Sequence, residues 1–262
     1  MSGSTATKPK FLQPLVSNGP GSFTFTALPE ACVGPDERQF FMGGAAMAVA
    51  IDVLQQTADK PLLWATIQFL NQGALGETFE IDAETLGGGR NVSHMQATLR
   101  RGETVLQRTI ATLGARAGEP DKQFISMPDV PRPEDCPRKK DDAYGRPGNL
   151  IGLFDRRTAL EDSDAGIEHL WIKPLDGNID TPMLGVISDF FLGAHARGRG
   201  GTSLDNTLRM VMSHPTEWVL CVTQVAGFGG GTMHGTQHHF AEDGTLLATS
   251  SQSGLLPRVP NP

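Results

Sequence analysis

The chain has 262 residues and a mass of 28.1 kDa, and its 39% hydrophobic content is enough to fill one large core or two small ones. Its 22 basic residues against 29 acidic ones leave a net charge of -7, which argues against a dedicated nucleic-acid binder carrying a basic stripe. Cys32, Cys136 and Cys221 are odd in number and lack zinc-ligand spacing, and residues 1–10 lack the apolar core of a secretory signal, so reduced thiols, a loose N-terminal tail and a cytoplasmic location are expected.

Residues 23–28 (FTFTAL) alternate as a short strand. After a helix-start signal at Pro35-Asp36-Glu37, residues 40–56 (FFMGGAAMAVAIDVLQQ) are apolar around nearly the whole helical circumference, which only a helix enclosed on all sides requires. The uninterrupted apolar part, 40–51, is shorter than the roughly 20 residues that span a bilayer, and Asp52 closes it. A soluble central helix is the reading, and its Gly43, Gly44 and alanines let other backbone approach closely. Four strands follow at 62–70, 78–86, 91–99 and 104–113, separated by glycine-bearing turns, which makes one helix against an antiparallel meander.

From 117 to 148 the composition turns to Pro, Asp, Lys and Arg without periodicity, as in an ordered but irregular linker. The expected organisation is therefore a first repeat over 1–116, a linker over 117–148 and a second repeat over 149–262. The basic run Arg138-Lys139-Lys140 is met at once by Asp141-Asp142 and reads as a solvated loop rather than a docking patch. Beyond the linker the plan returns: a strand at 166–175, a helix at 182–196, then strands near 202–212, 217–226, 233–240 and 245–252. The Asp243-Gly244 turn corresponds to Arg101-Gly102, and Thr245 to Thr104, a repeat distance of 142 or 141 residues.

Within the second helix Thr181 can cap and Pro182 can take the first position, which puts Asp189 two turns inside among Ile187, Phe190, Phe191 and Leu192. Residues three and four away are Gly185, Val186, Leu192 and Gly193, so no cation on the same helix neutralises it. Such a carboxylate must face solvent, accept hydrogen bonds from other elements or line a pocket. Ser203 at a strand entrance reads equally as a turn residue, and Gln252 as an edge residue facing water. At the repeat distance, however, Asp189 falls opposite Met47, Ser203 opposite Leu62 and Gln252 opposite Ala111, to within about a residue of register. A single site built from the second half, with the first half as an apolar wall, accounts for three polar residues having apolar counterparts.

The order strand, Gly/Ala-rich helix and four-strand meander, repeated across a linker, resembles an α+β double hotdog fold. Over almost the whole chain it is similar to the acyl-CoA thioesterase II family, through Ile187-Ser188-Asp189, Ser203-Leu204-Asp205, and Asp243-Gly244 followed by Gln252-Ser253-Gly254. The resemblance implies a catalytic set of Asp189, Ser203 and Gln252 that activates water to hydrolyse an acyl-CoA thioester, with no cofactor, no metal, no membrane or nucleic-acid partner, and a homo-oligomer, most simply a dimer. Backbone N–H groups at Gly43 and Gly44 could stabilise the oxyanion or merely mark close helix packing. The chain departs from the family where Asn206-Thr207-Leu208-Arg209-Met210-Val211 replaces a His-Ser-Met-Trp-Phe-His run and where Met95 replaces a basic residue; both bear on the acyl pocket and CoA contacts. Asp205 shares a face with Ser203 if that strand is regular, making it an alternative carboxylate.

Weaker motifs have plainer accounts. Residues 227–232 (GFGGGT) sit between strands and read as a bulged hairpin rather than a phosphate loop. His234, His238 and His239 lack a nearby carboxylate that would complete a metal site. A hotdog hydratase or dehydratase would need a loop His with an acidic partner, and the first half offers only His94. A non-catalytic acyl-CoA binding protein is the remaining alternative.

Overall fold

The computed structural model describes residues 8–115, 120–140 and 147–258, so most of the expected N-terminal tail and the Asp141-Asp142 pair lie outside the described residues. The first half comprises β1 (Leu15–Gly19), β2 (Ser22–Thr26), β3 (Cys32–Val33), β4 (Phe40–Phe41), α1 (Gly43–Ala58), β5 (Leu62–Phe69), β6 (Thr78–Gly88), β7 (Val92–Arg101) and β8 (Thr104–Gly114). The second comprises β9 (Phe154–Asp162), β10 (Ile167–Pro174), α2 (Thr181–Ser188), β11 (Thr202–Met210), β12 (Val219–Gly229), β13 (Thr232–Ala241) and β14 (Leu246–Leu255). Twelve strands form one antiparallel sheet in the order β1-β2-β6-β7-β8-β5-β11-β14-β13-β12-β10-β9, against which the two helices pack. This is the expected α+β double hotdog.

The strand order reads as the same six-strand pattern from either edge, and the seam lies between β5 and β11. There Thr66 pairs with Thr207 and the two hydroxyls meet, so a pseudo-twofold axis relates residues 141 apart. The pairing Ala65 to Ala111 is matched by Asn206 to Gln252, and Leu62 to Leu113, with its bulge, by Ser203 to Gly254, with a bulge at the same place. At that spacing the counterpart of Asp189 is Ala48, one residue from Met47, while Ala111 and Leu62 are the counterparts of Gln252 and Ser203. Each inward methyl or ring buried between helix and sheet contributes, as with Phe25, Phe41 and Phe79, which stack in sequence at centroid distances of 5.2 and 5.4 Å.

Several boundaries differ from expectation. Helix α1 starts at Gly43, with Met42 at the N-cap position, because Phe40 and Phe41 are taken up in pairing with Val33 and Cys32; the Pro35–Glu37 signal lies in the loop between the two strands of that short ribbon instead. It ends where Asp59 turns left-handed at φ 50°. Its buried residues run from Gly44 through Ile51, then Val53 and Leu54, while Asp52 turns to the Lys8 ammonium at 2.8 Å. In α2 the cap is Asp180, whose carboxylate accepts from Met183 N–H at 2.9 Å, and Thr181 and Pro182 are already helical. The expected helix over 182–196 is two pieces: α-helix stops at Ser188, and 189–194 wind as a 3-10 helix. The Ser188 hydroxyl donates to Gly185 O at 2.9 Å, a side-chain bond that competes with continued helix. Edge strands β1 and β9 lacked a readable signal because neither alternates between buried and exposed positions.

The linker is also less solvated than its composition suggests. Thr158 N–H donates to Pro137 O and Lys139 N–H to Arg156 O, so this stretch adds to the β9 edge through a bridge at Arg138 and Arg157. Extended backbone sends successive side chains to opposite sides. Arg138 points to solvent, whereas Lys139 turns inward to an ion pair with the buried Glu168 and to Gly193 O at 3.1 Å, which corrects the reading of the whole basic run as a solvated loop.

Candidate active site

Asp189 stands at the junction where α2 gives way to the 3-10 turn, not two turns inside a continuous helix. That junction faces the start of α1. A side chain cannot fit between them: a Cβ on Gly43 would lie 2.8 Å from Asp189 Oδ2, and one on Gly44 would lie 2.8 Å from Val186 O and 2.9 Å from Asp189 Cβ. Two small residues near the N-terminus of α1 thus let the opposing helix, and its carboxylate, come into contact with backbone.

The structure brings Asp189, Ser203 and Gln252 together. Ser203, the second residue of β11, donates its Oγ–H to Asp189 Oδ1 at 3.1 Å. Gln252, inward-facing on β14, donates Nε2 to the same Oδ1 at 2.6 Å and to Ser203 Oγ at 2.8 Å. The Gly44 N–H, on the side of α1 that faces Asp189, also favours the ionised carboxylate. Gln252 Oε1 is buried without a hydrogen-bond partner, so the amide is oriented by what its nitrogen gains from the carboxylate. Asp189 is only 7% exposed, and burial pushes its pKa up to about 6, against the downward pull of Gln252, Ser203 and the Gly44 N–H.

Asp205 is placed elsewhere. A bulge between Ser203 and Asp205 breaks the alternation that would have put them on one face, and Asp205 Oδ1 accepts from Ser253 N–H at 2.7 Å. His94 bonds the Thr112 hydroxyl through Nδ1 at 3.0 Å and is absent from the cavity wall, so it offers no acid-base partner to Asp189. His234 is engaged with Thr232 and Ser253, and His239 with Ser250; among the described residues no group of His, Cys, Asp and Glu is arranged to hold a metal ion. Residues 227–232 form the hairpin between β12 and β13, with a bulge between Val225 and Gly227.

Behind the three residues lies a support the sequence reading did not include. Asn206, paired across the strands with Gln252, donates Nδ2 to Ser188 Oγ at 2.9 Å, and Ser188 directly precedes Asp189. In front of them lies a cavity of about 300 Å³ whose wall includes Asp189 and Ser203. Phe40, Phe41, Met42, Phe69, Leu99 and Leu106 line it from the first half, and Ile151, Leu170 and Phe190 from the second. Lys139, Arg156 and Arg199 bring cationic character to the same wall. Such a chamber accepts an apolar group beside a carboxylate whose pKa suits proton transfer near neutrality.

Comparison with known proteins bears on the family and the fold. Residues 36–114 match a family model described as the acyl-CoA thioesterase N-terminal domain, and residues 133–256 one described as the acyl-CoA thioesterase C-terminal domain. No curated protein matches the chain. Among solved structures, a candidate thioesterase from Novosphingobium aromaticivorans is 29% identical, covering 94% of this chain and 99% of that one, with a TM-score of 0.89. The TesB protein of Mycobacterium avium subsp. paratuberculosis is 19% identical over 95% of this chain and 97% of its own, with a TM-score of 0.78. Acyl-CoA thioesterase II TesB2 of Mycobacterium marinum is 18% identical over 95% and 98%, with a TM-score of 0.76; at these last two identities the likeness is one of fold.

Proposed function

Because the chain belongs to the acyl-CoA thioesterase family and is a thioester hydrolase, we propose that it cleaves acyl-CoA to free acid and CoA using water activated by Asp189, Ser203 and Gln252. The observation that carries this reading is the convergence of those three side chains beside an apolar cavity whose wall includes Asp189 and Ser203. Oδ1 of Asp189 is taken by Gln252 and Ser203, which leaves Oδ2, beside Gly43, to accept a proton from water. The water oxygen forms its bond to the thioester carbonyl carbon as that proton passes to Asp189. Collapse of the tetrahedral intermediate breaks the C–S bond, and the proton returns to the departing thiolate of CoA. Ser203 and Gln252 hold the carboxylate and the water in line. On this reading residues 149–262 carry the catalytic groups, and residues 1–116 supply most of the apolar wall for the acyl group.

The test is release of free thiol from a panel of acyl-CoAs of increasing length, including aromatic ones. A pH dependence follows from the site. Asp189 must be ionised to take a proton, so kcat/KM is expected to rise about tenfold per pH unit on the acid side, bend near pH 6 and level off above it. A profile that stays flat through pH 6 would exclude Asp189 as the base.

A further inference from the structure

Several polar side chains on the cavity wall take no part in the hydrolytic chemistry, and one of them, an uncharged amide, is buried against α1. Gln107, on β8, is 3% exposed and lines the cavity among Phe41, Met42, Phe69, Leu99 and Leu106. Its Nε2 donates to Ala46 O, a main-chain carbonyl of α1, at 2.9 Å. A carbonyl can only accept, so this bond fixes which way the amide faces. The amide oxygen, on the other side of the amide from that bond, has no hydrogen-bond partner among the described residues, and Gln107 stands in the cavity wall.

Resting on the thioesterase reading, we infer that Gln107 is a specificity-determining residue whose Oε1 accepts a hydrogen bond from a hydroxyl on the acyl chain, so that the favoured substrates are hydroxyacyl thioesters. The placement sets where that hydroxyl lies. Ala46 is three residues beyond Gly43 on α1, and Gly43 abuts Asp189 Oδ2. At a rise of about 1.5 Å per residue, Gln107 acts roughly 5 Å along the helix from the reacting carboxylate. A hydroxyl a few carbons from the thioester carbonyl therefore meets the amide oxygen, whereas a plain chain leaves that oxygen facing hydrocarbon. The choice of Gln is not imposed by the repeat. At the 141-residue spacing the counterpart of Gln107 is Ala248, since Phe69 pairs with Gln107 as Met210 pairs with Ala248. The second half has only a methyl at this place, so helix-to-sheet packing does not by itself require an amide.

The experiment uses matched pairs of acyl-CoAs of equal length, one plain and one hydroxylated at successive carbons, with thiol release measured for the wild type and for Gln107→Met, which keeps the side chain's shape. The expected result is that for at least one position the hydroxylated member has a kcat/KM about tenfold higher in the wild type, the order set by one neutral hydrogen bond, and that the ratio falls to about one in Gln107→Met. Equal kcat/KM for every pair in the wild type, or a preference that survives in Gln107→Met, overturns the inference. Binding is followed separately in Asp189→Asn and in the Asp189→Asn, Gln107→Met double variant, through the rise in Tm that each CoA ester produces. If no ester is cleaved by the wild type, the hydrolytic reading fails on its own. A larger rise with the hydroxylated member that vanishes in the double variant still supports the role of Gln107, and equal rises with both members refute it.

Discussion

Asp189→Asn is expected to lower kcat/KM at least 100-fold while leaving the protein as stable as the wild type or more so. The loss follows from removing the base: Asn still offers an oxygen to Gln252 Nε2 and Ser203 Oγ, but it cannot take a proton from water. The stability expectation has the opposite sign from that of an ordinary structural carboxylate. A carboxyl whose folded pKa of about 6 lies above its ordinary 3.8 binds its proton more tightly when folded. Its contribution to folding is therefore most favourable below pH 3.8 and declines as pH rises to 6, by about 3 kcal/mol in all. Neutral Asn avoids that cost at pH 7. Parallel measurement of thiol release and Tm decides the matter, and an Asn variant that keeps wild-type turnover would remove Asp189 from the mechanism.

Gly44→Ala is expected to destabilise the protein by about 1–3 kcal/mol, for a single added methyl. The new Cβ would lie 2.8 Å from Val186 O, 2.9 Å from Asp189 Cβ and 3.1 Å from Val186 Cα, two of them main-chain atoms in the opposing helix. Neither helix can yield without moving away from the sheet strands it covers, because close-packed interiors transmit strain rather than absorb it. The same displacement would carry Asp189 away from Gln252 and Ser203, so activity should fall with stability. Gly185→Ala is the internal control. Its Cβ would press only the flexible end of the Ile51 side chain, at 3.0 Å, with Ala48 backbone at ordinary contact distances of 3.5 and 3.6 Å, and the gain in helix propensity of up to about 1 kcal/mol offsets that contact. Urea denaturation of both variants tests the contrast, and equal midpoints for Gly44→Ala and the wild type would show that α1 and α2 are not in rigid contact.

The candidate site was legible in parts. Asp189 stood out because its own helix offered it no partner, and comparison of the two halves set Ser203 and Gln252 against Leu62 and Ala111, the counterparts that the sheet register also assigns. The role of the glycines was not legible in the same way. Gly44 could be read as packing or as an oxyanion donor, and only the approach of α2 shows Val186 and Asp189 standing where a side chain would have been. Asp205 was misplaced because a bulge costs one residue of alternation and leaves no composition signal. Lys139 was misread because a basic run beside acidic residues looks solvated, while a single bridge to the β9 edge is enough to turn one of its members inward.

By itself the sequence determined the repeated plan: the inward alternation of the strands, the all-round apolar face of α1 and the paired turns at Arg101-Gly102 and Asp243-Gly244. These are consequences of which side of each element must leave water, a local requirement that a period of two or 3.6 residues records. Only the tertiary structure decided the break between α2 and its 3-10 extension, the edge strands β1 and β9, and the cavity itself. That chamber is walled by side chains drawn from as far apart as Phe40 and Ser203, with Gln107 and Lys139 between them in sequence. Their meeting is set by strand register across the β5–β11 seam and by how closely two helices approach over Gly43 and Gly44. No local periodicity carries that information, because it resides in contacts between elements that lie far apart along the chain.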